Sequence, residues 1–389
     1  MAELALSAVE RRRSLTAVIT CMTLVGITIG LTFPLLSLIL EGRGYSRTVI
    51  GLNSAMPAIA MLILSPVLPR IIGAIGLKPF LIGCVVAEGA LILGLKVFDN
   101  LPAWFLLRFL MGATSAGLFI AGETWINQIA DDRNRGRLVA IYSIALGGGL
   151  ALGPVILAVT GTGGWAPFVV GAVCNLAGVV PLMLIGNLAP RLDGRPSFSA
   201  WAFARIAPSL TMAVFAFAVL EAAASALLPV YGVRTGHSEQ EAALLLSAVL
   251  IGGVALQWPV GWLADRGDRY LLIGVLGAMS AIGTALLPFV IAVPVLLYGA
   301  LFFWGGVASG IYTVALVIQG DRFRGPDLVT ANAAFGLIWG FAVMVGPAAA
   351  GVAMDLWDPH GLPAMLTAVC VLFVITVVIR HRSRKARAP

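Results

Sequence analysis

Charged residues are scarce in this chain of 389 residues. Asp, Glu, Lys and Arg make up only 11% of it, hydrophobic residues make up 60%, and the mean hydropathy is +0.99. A soluble domain carries about 25% charged residues. The deficit excludes an ordinary soluble globular protein and indicates that most of the chain lies within a lipid bilayer.

Cysteine and histidine are also rare, which limits the possible chemistry. The three histidines lie in loops or in the C-terminal tail, and no Cys/His cluster with metal-ligand spacing occurs. No G-x-x-x-x-G-K-[ST] motif occurs either. We therefore expect no metal, no cofactor and no ATP hydrolysis. The cysteines all fall inside apolar runs, where packing is the expected role; they are Cys21, Cys84, Cys174 and Cys370.

The net charge of +7 does not indicate nucleic-acid binding, because the basic residues fall in short segments between apolar runs. Twenty of the 25 Lys and Arg residues lie on the N-terminal side of the predicted membrane, and three lie in the opposite loops: Arg43, Arg47 and Arg234. Cytoplasmic loops of membrane proteins carry the excess of Lys and Arg. The charges therefore predict that both termini are cytoplasmic.

Twelve apolar runs are long enough to cross a bilayer as helices. The first follows three arginines and lacks a small-x-small cleavage site, so we interpret it as a retained helix. Ser238 and Glu241 have the spacing of a capping box at the start of the eighth run. The predicted spans are 15–40, 49–68, 79–98, 102–127, 137–160, 166–188, 206–230, 242–263, 270–292, 295–318, 328–353 and 363–380.

The sequence repeats itself. The pattern D-R-x-R-G begins at Asp132 and again at Asp321, an offset of 321 − 132 = 189 residues. Each copy precedes a run with an internal Gly-Pro pair, which we interpret as a bend in a helix that rocks; the pairs are Gly153-Pro154 and Gly346-Pro347. The pattern predicts an all-α membrane protein of 12 transmembrane helices in two pseudo-symmetric six-helix halves. The halves would be residues 1–189 and 206–389, joined by a cytoplasmic linker at 190–205. Two-half plans of this kind are typical of transporters.

The motifs resemble those of the major facilitator superfamily over nearly the whole chain. Residues 257–269 resemble the signature G-x-x-x-D-R-x-G-R loop, with Gly267 displaced by one; the matches are Gly261, Asp265, Arg266 and Arg269. The equivalent loop at 69–78 lacks the aspartate. The resemblance implies a cytoplasmic latch at this signature loop. We expect the D-R-x-R-G loops to cap helix ends and to lock the inward-closed state, unless their charges only set topology; these residues are Asp132, Arg133, Arg135, Asp321, Arg322 and Arg324.

Two further segments carry the resemblance. Residues 107–112 resemble the family's fourth-helix R-x-x-x-G motif, which is associated with proton coupling. Residues 149–154 resemble the end of the antiporter motif on helix five, although Ala140 and residues 155–158 stand where further glycines are usual. The combination of the segments ETWIN, DRNRGR and QWPVGWLADRGDR looks most like the YcaD-like branch of the family.

Four ionisable residues fall well inside the predicted helices: Glu88, Arg108, Glu123 and Glu221. Ionisable groups inside a bilayer are expensive and mark ion or substrate pathways. Arg108 and Glu123 share a broad helix face but lie about 22 Å apart at 1.5 Å per residue, too far to pair.

The resemblance implies that helices one, four, seven and ten line the cavity. Glu123 and Glu221 are then the leading proton or cation-site candidates, with Arg108 as an electrostatic modulator; a polar clamp between helices is the alternative. Glu88 is a further proton-coupling candidate, but it lies on a peripheral helix, where a structural role is favoured: it would either pair with Arg108 or hydrogen-bond a neighbouring helix.

Other polar and aromatic residues are candidates for the cavity wall, although packing is an alternative for each. Tyr312 lies 189 residues after Glu123 and is interpreted as its counterpart in the second half. The other candidates are Gln257, Trp125, Asn127, Trp304 and the helix-one pair Thr28 and Thr32, which could instead bond only to their own backbone.

These features predict a multi-pass secondary transporter of the bacterial inner membrane, not an enzyme, working by alternating access and coupled to protons. The expected cargo is a small organic molecule, neutral or weakly cationic, because the predicted cavity carries more carboxylate than base. Efflux of a drug or metabolite by antiport is slightly favoured, and uptake of a metabolite is the alternative. A sensor or membrane enzyme is disfavoured, since connections are short and no nucleophile–base pair occurs. We expect a monomer whose partners are its substrate and the bilayer, with no nucleic acid.

Overall fold

The computed structural model describes residues 8–129, 135–183, 200–323 and 326–385. Within these ranges the chain forms sixteen helices and no strand. The helices are α1 (Ala8–Gly42), α2 (Arg47–Leu64), α3 (Leu68–Ile75), α4 (Leu77–Val97), α5 (Leu101–Ile129), α6 (Arg135–Thr160), α7 (Ala166–Ala177), α8 (Val179–Met183), α9 (Ala200–Ile206), α10 (Pro208–Arg234), α11 (Glu239–Ala255), α12 (Gln257–Arg266), α13 (Arg269–Val290), α14 (Pro294–Arg322), α15 (Pro326–Leu356) and α16 (Gly361–Lys385).

The prediction of twelve transmembrane helices is confirmed. Twelve segments of the described chain are long and apolar enough to cross a membrane. Two of them are broken helices: α7 and α8 meet at Gly178 within the sixth span, and α11 and α12 meet at Leu256 within the eighth. The capping box is also confirmed, since the Glu241 amide donates to the Ser238 hydroxyl and the Ser238 amide donates to the Glu241 carboxylate.

The chain divides into two compact units. The first comprises Met1–Leu35 and Met56–Asp193, and the second comprises Leu36–Ala55 and Gly194–Pro389. The C-terminal end of α1 and the N-terminal end of α2 therefore belong to the second unit, although the remainder of both helices belongs to the first.

Glycines allow close helix packing inside the first unit. A Cβ placed on Gly153 of α6 would lie 2.3 Å from the backbone of Gly30 in α1, and one on Gly149 would lie 2.3 Å from the carbonyl oxygen of Thr23. A Cβ on Gly112 of α5 would lie 2.3 Å from the backbone of Pro57 in α2. Small residues at membrane helix interfaces let backbones approach in this way. The predicted bend position Gly153 thus has a packing role, and rocking about it stays a prediction.

The second unit repeats this packing. A Cβ on Gly305 of α14 would lie 2.0 Å from the carbonyl oxygen of Val249 in α11, as Gly112 approaches α2 in the first unit. The first residues of α5 and α14 differ by 294 − 101 = 193. The glycines differ by the same 305 − 112 = 193.

The helical repeat therefore differs from the offset of 189 between the loop motifs. The residue that stands 193 positions after Glu123 is Leu316. The interpretation of Tyr312 as the counterpart of Glu123 is wrong by about one helical turn. Asp321 lies within the last turn of α14, whereas Asp132 lies outside the described residues.

Candidate functional site

Glu88 on α4 is buried and bonds to the neighbouring helix α5. Its carboxylate accepts a hydrogen bond from the Thr114 hydroxyl and a longer one, at 3.5 Å, from the Ser115 hydroxyl. It forms no direct ion pair with Arg108 among the described contacts, although the two charges attract each other. Of the two alternatives for Glu88, the structure shows the hydrogen bond to a neighbouring helix.

Arg108 on α5 is 1% exposed, and its guanidinium lies over the ring of Phe33 at 4.1 Å from the centroid. Its Nε has no hydrogen-bond partner within the described ranges. A guanidinium over an aromatic face is stabilised by the ring quadrupole. The ring and the charge of Glu88 compensate the buried cation, and its Nε remains able to donate to a further acceptor.

Glu221 lies at the middle of α10, thirteen residues from each end of that helix (221 − 208 and 234 − 221). α10 is the most buried of the twelve spans. The residues on either side, 216–220 and 222–224, are buried, whereas Glu221 itself and Ser225, one turn later, are partly exposed. In the part of the chain that is described, Glu221 has no hydrogen bond and no ion pair. It is therefore an uncompensated carboxylate on an inner helix.

An aromatic cluster begins one turn before Glu221, and we define it as Phe217, Tyr312 and Trp339. The rings of Phe217 and Tyr312 are stacked with centroids 5.5 Å apart, and each meets the ring of Trp339 edge-on at 5.3 Å. These residues come from α10, α14 and α15, all in the second unit. Residues four apart share one face of a helix, so Glu221 and Phe217 lie on the same side of α10.

Three candidates for the cavity wall bond to their own helix or pack in the apolar core. Thr28 and Thr32 are buried and donate their hydroxyls to carbonyl oxygens of their own helix, at 3.0 and 2.9 Å, so the backbone-bonded alternative holds. Trp125 is 1% exposed inside the apolar core of the first unit, where it has no open face for a solute.

The remaining wall candidates differ in their positions. Trp304 is buried and lines a small apolar pocket between α10, α13, α14 and α16. Gln257 is exposed at the start of α12. The side chains of Glu123 and Asn127 lie outside the described residues, although both positions belong to α5.

The signature loop is held by an ion pair. Arg269 pairs with Asp321 of the second D-R-x-R-G motif, and its Nε also donates to the carbonyl oxygen of Ala264 at 3.0 Å. Arg322 donates to the carbonyl oxygen of Ile206 at 2.8 Å, so it caps the C-terminal end of α9. The second motif therefore caps a helix end, as the sequence predicted.

Other predicted latch residues do not join this ion pair. Arg266 lies over the ring of Trp262 at 4.1 Å. Asp265 is exposed and Gly261 is half-buried. Asp132, Arg133 and Arg324, and the side chain of Arg135, lie outside the described residues.

A polar network that the sequence did not predict joins the end of α1 and the start of α2 to the ends of α10 and α15. We call it the hairpin network, and it consists of Glu41, Arg47, Thr48, Arg234, Asp355 and Asp358. From the sequence alone, its arginines Arg47 and Arg234 are interpreted only as charges that set the topology. The partners lie more than 100 residues apart along the chain, 124 for Arg234 and Asp358 and 307 for Thr48 and Asp355, so no local motif could have indicated them.

Two carboxylates of the hairpin network, Asp355 and Asp358, have different roles. Asp355 accepts from the backbone amides of Arg47 and Thr48, at 3.0 and 2.8 Å, and thus caps the N-terminus of α2. Asp358 pairs with both Arg234 and Arg47. The hydrogen bond from Arg234 is the largest of the effects that hold the pKa of Asp358 below its ordinary value.

Comparison with known proteins gives a consistent result. The model of the Major Facilitator Superfamily matches residues 18–277 and 210–389. The chain is 27% identical over 354 residues to the uncharacterized MFS-type transporter YfkF of Bacillus subtilis (strain 168), covering 88% of this chain and 89% of the relative. It is 25% identical over 312 residues to the uncharacterized MFS-type transporter YcaD of Escherichia fergusonii, covering 78% of this chain and 79% of the relative.

Solved structures show the same fold. A bacterial homolog of the human lysosomal transporter Spinster, in an inward-facing and unoccupied conformation, superposes with a TM-score of 0.78 at 14% identity, covering 95% of this chain and 96% of that one. The nucleoside transporter NupG superposes with a TM-score of 0.75 at 12% identity, covering 97% and 98%.

Proposed function

The chain belongs to the major facilitator superfamily and is a multi-pass secondary transporter, not an enzyme; from this premise we propose that it moves a small organic cation in exchange for protons. The direction we favour is efflux across a bacterial inner membrane, with both termini cytoplasmic. The protein would act as a monomer by alternating access.

Glu221 is the observation that carries this proposal. A carboxylate on an inner membrane helix without a partner must be neutralised by a proton or by a cation from outside the protein. Because a proton and a cationic solute compete for one carboxylate, each displaces the other. Competition at one site is a sufficient physical basis for exchange of the two.

The aromatic cluster supports an organic rather than an inorganic cation. Phe217 stands one turn from Glu221 and is stacked on Tyr312, with Trp339 against both rings. Aromatic faces attract organic ammonium groups by about 0.5–2 kcal/mol and also provide apolar contact area. A lipophilic cation fits this combination of one carboxylate and three rings better than a sugar or an anion does.

The test is transport by the purified protein in proteoliposomes with an imposed pH gradient. Organic cations of graded size are compared with neutral and anionic solutes. We expect proton-driven movement of cations, and a loss of about tenfold or more in Glu221→Gln, which keeps the shape of the side chain but not its charge. Glu239→Gln, at the exposed start of α11, is the matched control and should transport as the wild type does. If Glu221→Gln exchanges organic cations for protons at the wild-type rate, the proposal is refuted.

A second function, uptake of a metabolite that carries a carboxylate or carbonyl group, is favoured by Arg108. Its buried Nε has no acceptor within the described ranges, so an oxygen of a solute could occupy that position. Uptake of anionic solutes in the same panel, lost in Arg108→Gln and kept in Glu221→Gln, would select this function over cation efflux.

A further inference from the structure

The turn between α1 and α2 is docked onto α15 through its backbone as well as its side chains. A Cβ on Gly351 of α15 would lie 2.2 Å from the carbonyl oxygen of Arg47, and one on Gly51 of α2 would lie 2.1 Å from the carbonyl oxygen of Pro347. Two glycines that face opposite backbones fix the start of α2 against α15. Asp355, one turn after Gly351, then caps α2 from the neighbouring helix.

The charges of the hairpin network do not balance. Three carboxylates, those of Glu41, Asp355 and Asp358, face two guanidinium groups, those of Arg47 and Arg234. Asp355 accepts three hydrogen bonds and Asp358 pairs with both arginines. Glu41 has only a distant ion pair, 3.7 Å from the Nε of Arg234. Glu41 is therefore the surplus carboxylate.

Glu41 is also the most enclosed of the three. Its side chain is 11% exposed, compared with 25% for Asp355 and 32% for Asp358. Its Oε2 is buried and has no hydrogen-bond donor anywhere in the described chain. An ionised oxygen without a donor in such a place is unfavourable. A proton on Glu41 would bring the network to two positive and two negative charges.

We propose that Glu41 is a proton-binding residue and that a proton on it stabilises the docked state of the α1–α2 turn. In this proposal the hairpin network is a latch: it closes when Glu41 is protonated and loosens when Glu41 is ionised, because the surplus negative charge then repels Asp355 and Asp358. The positive-inside pattern places this turn on the outer side of the membrane, so external protons would favour closure of the outer side. That last step rests on the proposed function.

The other titratable groups around Glu41 are distinct from it. Arg47 faces it from α2, Arg234 from α10, Asp355 from α15, and Asp358 from the segment after α15. The pKa of Asp358 is lowered, chiefly by Arg234, so this carboxylate remains ionised throughout the physiological range. His360 lies two residues after Asp358, where its ring nitrogen contacts the Tyr231 hydroxyl at 3.3 Å, and the experiment must separate its effect from that of Glu41.

The test is hydrogen exchange of the backbone amides of Arg47 and Thr48, which donate to Asp355 only while the turn is docked. Exchange is followed by mass spectrometry on the full-length protein in lipid nanodiscs, with the intrinsic pH dependence removed. We expect wild-type exchange to be about threefold to fivefold slower near pH 5.5 than near pH 7.5. Glu41→Gln should exchange slowly at both values, and Asp355→Ala should exchange rapidly at both.

Two controls complete the experiment. Asp99→Asn removes an exposed acidic residue outside the network and should behave as the wild type does. His360→Gln should also keep the pH dependence. The proposal is overturned if wild-type exchange does not depend on pH, if Glu41→Gln keeps the wild-type dependence, or if His360→Gln abolishes it.

The measurement needs no substrate, so it separates this inference from the proposed function. If amide hydrogen exchange depends on pH but the protein shows no proton-coupled transport, the latch is retained and only the proposed coupling is refuted. Proton-coupled transport in a protein whose turn exchanges independently of pH would retain the proposed function and refute the latch.

Discussion

Three ionisable side chains within membrane helices differ in how their charge is compensated. Glu88 accepts hydrogen bonds from two hydroxyl groups of the adjacent helix, and Arg108 lies over an aromatic ring. Glu221 has no such partner in the described chain. A satisfied group stabilises the helix pair that it joins, whereas an unsatisfied one needs a mobile ion or solute. The hydrogen bonds of Glu88 therefore indicate a structural role. The lack of a partner for Glu221 in the described chain favours a role in transport.

The first prediction tests whether Glu88 has a structural role. In Glu88→Gln the side-chain oxygen can still accept from the Thr114 hydroxyl, so we expect transport within about twofold of the wild type and a change in stability below about 1 kcal/mol. Proton-driven transport in proteoliposomes and thermal unfolding in detergent are the two measurements. Loss of proton coupling with an unchanged melting temperature would instead place Glu88 in the coupling mechanism.

The second prediction concerns Asp358 and pH. A carboxylate whose folded pKa is lowered contributes stability that is present above its unfolded pKa and is lost as the pH falls through the folded value. The difference in stability between Glu41→Gln and the double variant Glu41→Gln/Asp358→Asn, in which Glu41 carries no charge, should therefore be constant from about pH 7.5 to about pH 5.5 and shrink only below about pH 4. Thermal unfolding at several pH values measures it. A difference that disappears near pH 6 would contradict the observed pairing with Arg234.

At the scale of helices, the packing of one helix against another depends on the positions of the glycines more than on their number. Gly148 and Gly149 are neighbours in α6, but a Cβ on Gly148 would meet nothing within 4 Å, whereas one on Gly149 would lie 2.3 Å from the carbonyl oxygen of Thr23. The chain contains 45 glycines, and composition alone cannot tell these two apart. Their difference arises only from the helix that each of them faces.

The third prediction uses this adjacent pair. Gly149→Ala forces α1 and α6 apart and should cost about 1–3 kcal/mol of stability. Gly148→Ala, its matched control, should be neutral or stabilising by up to about 1 kcal/mol, because alanine favours the helix. Thermal unfolding of both variants in one detergent makes the comparison. Equal melting temperatures would show that α1 and α6 do not pack in the way described.

The sequence predicted the positions of the transmembrane helices well, but it predicted poorly which residues of different helices correspond or contact each other. Apolar length and short charged connections indicated all twelve spans, and the capping box at Ser238 was confirmed. The break at Leu256 was not predicted, since the eighth run is apolar on both sides of it. The counterpart of Glu123 was misplaced because the loop motif repeats after 189 residues, whereas the packing glycines Gly112 and Gly305 repeat after 305 − 112 = 193.

At the scale of the whole molecule, the family followed from short motifs on helices and in loops, and the fold followed from the apolar runs. The resemblance of the signature loop at 257–269 to the major facilitator superfamily is confirmed by the family match over both parts of the chain. The hairpin network was missed because hydropathy and charge counting treat Arg47 and Arg234 as separate topology signals. Contacts between residues about 300 positions apart need the fold itself.

The orientation of the protein in the membrane is the last prediction, and one transmembrane span can test it from both ends. Gln240 and Asp265 are exposed at opposite ends of the span Glu239–Arg266. Since twenty Lys and Arg residues mark one side and three mark the other, Gln240→Cys should react with a membrane-impermeant maleimide on intact cells. Asp265→Cys should react only after the cells are permeabilised.

The unmodified protein supplies the background for this labelling. Three of its four cysteines, Cys21, Cys84 and Cys370, are buried, so little reaction with the reagent is expected. The reverse pattern of labelling would place the termini outside. It would also move the hairpin network to the cytoplasmic side, so that internal rather than external protons would act on Glu41. The direction in which the latch couples to a proton gradient thus depends on this one measurement.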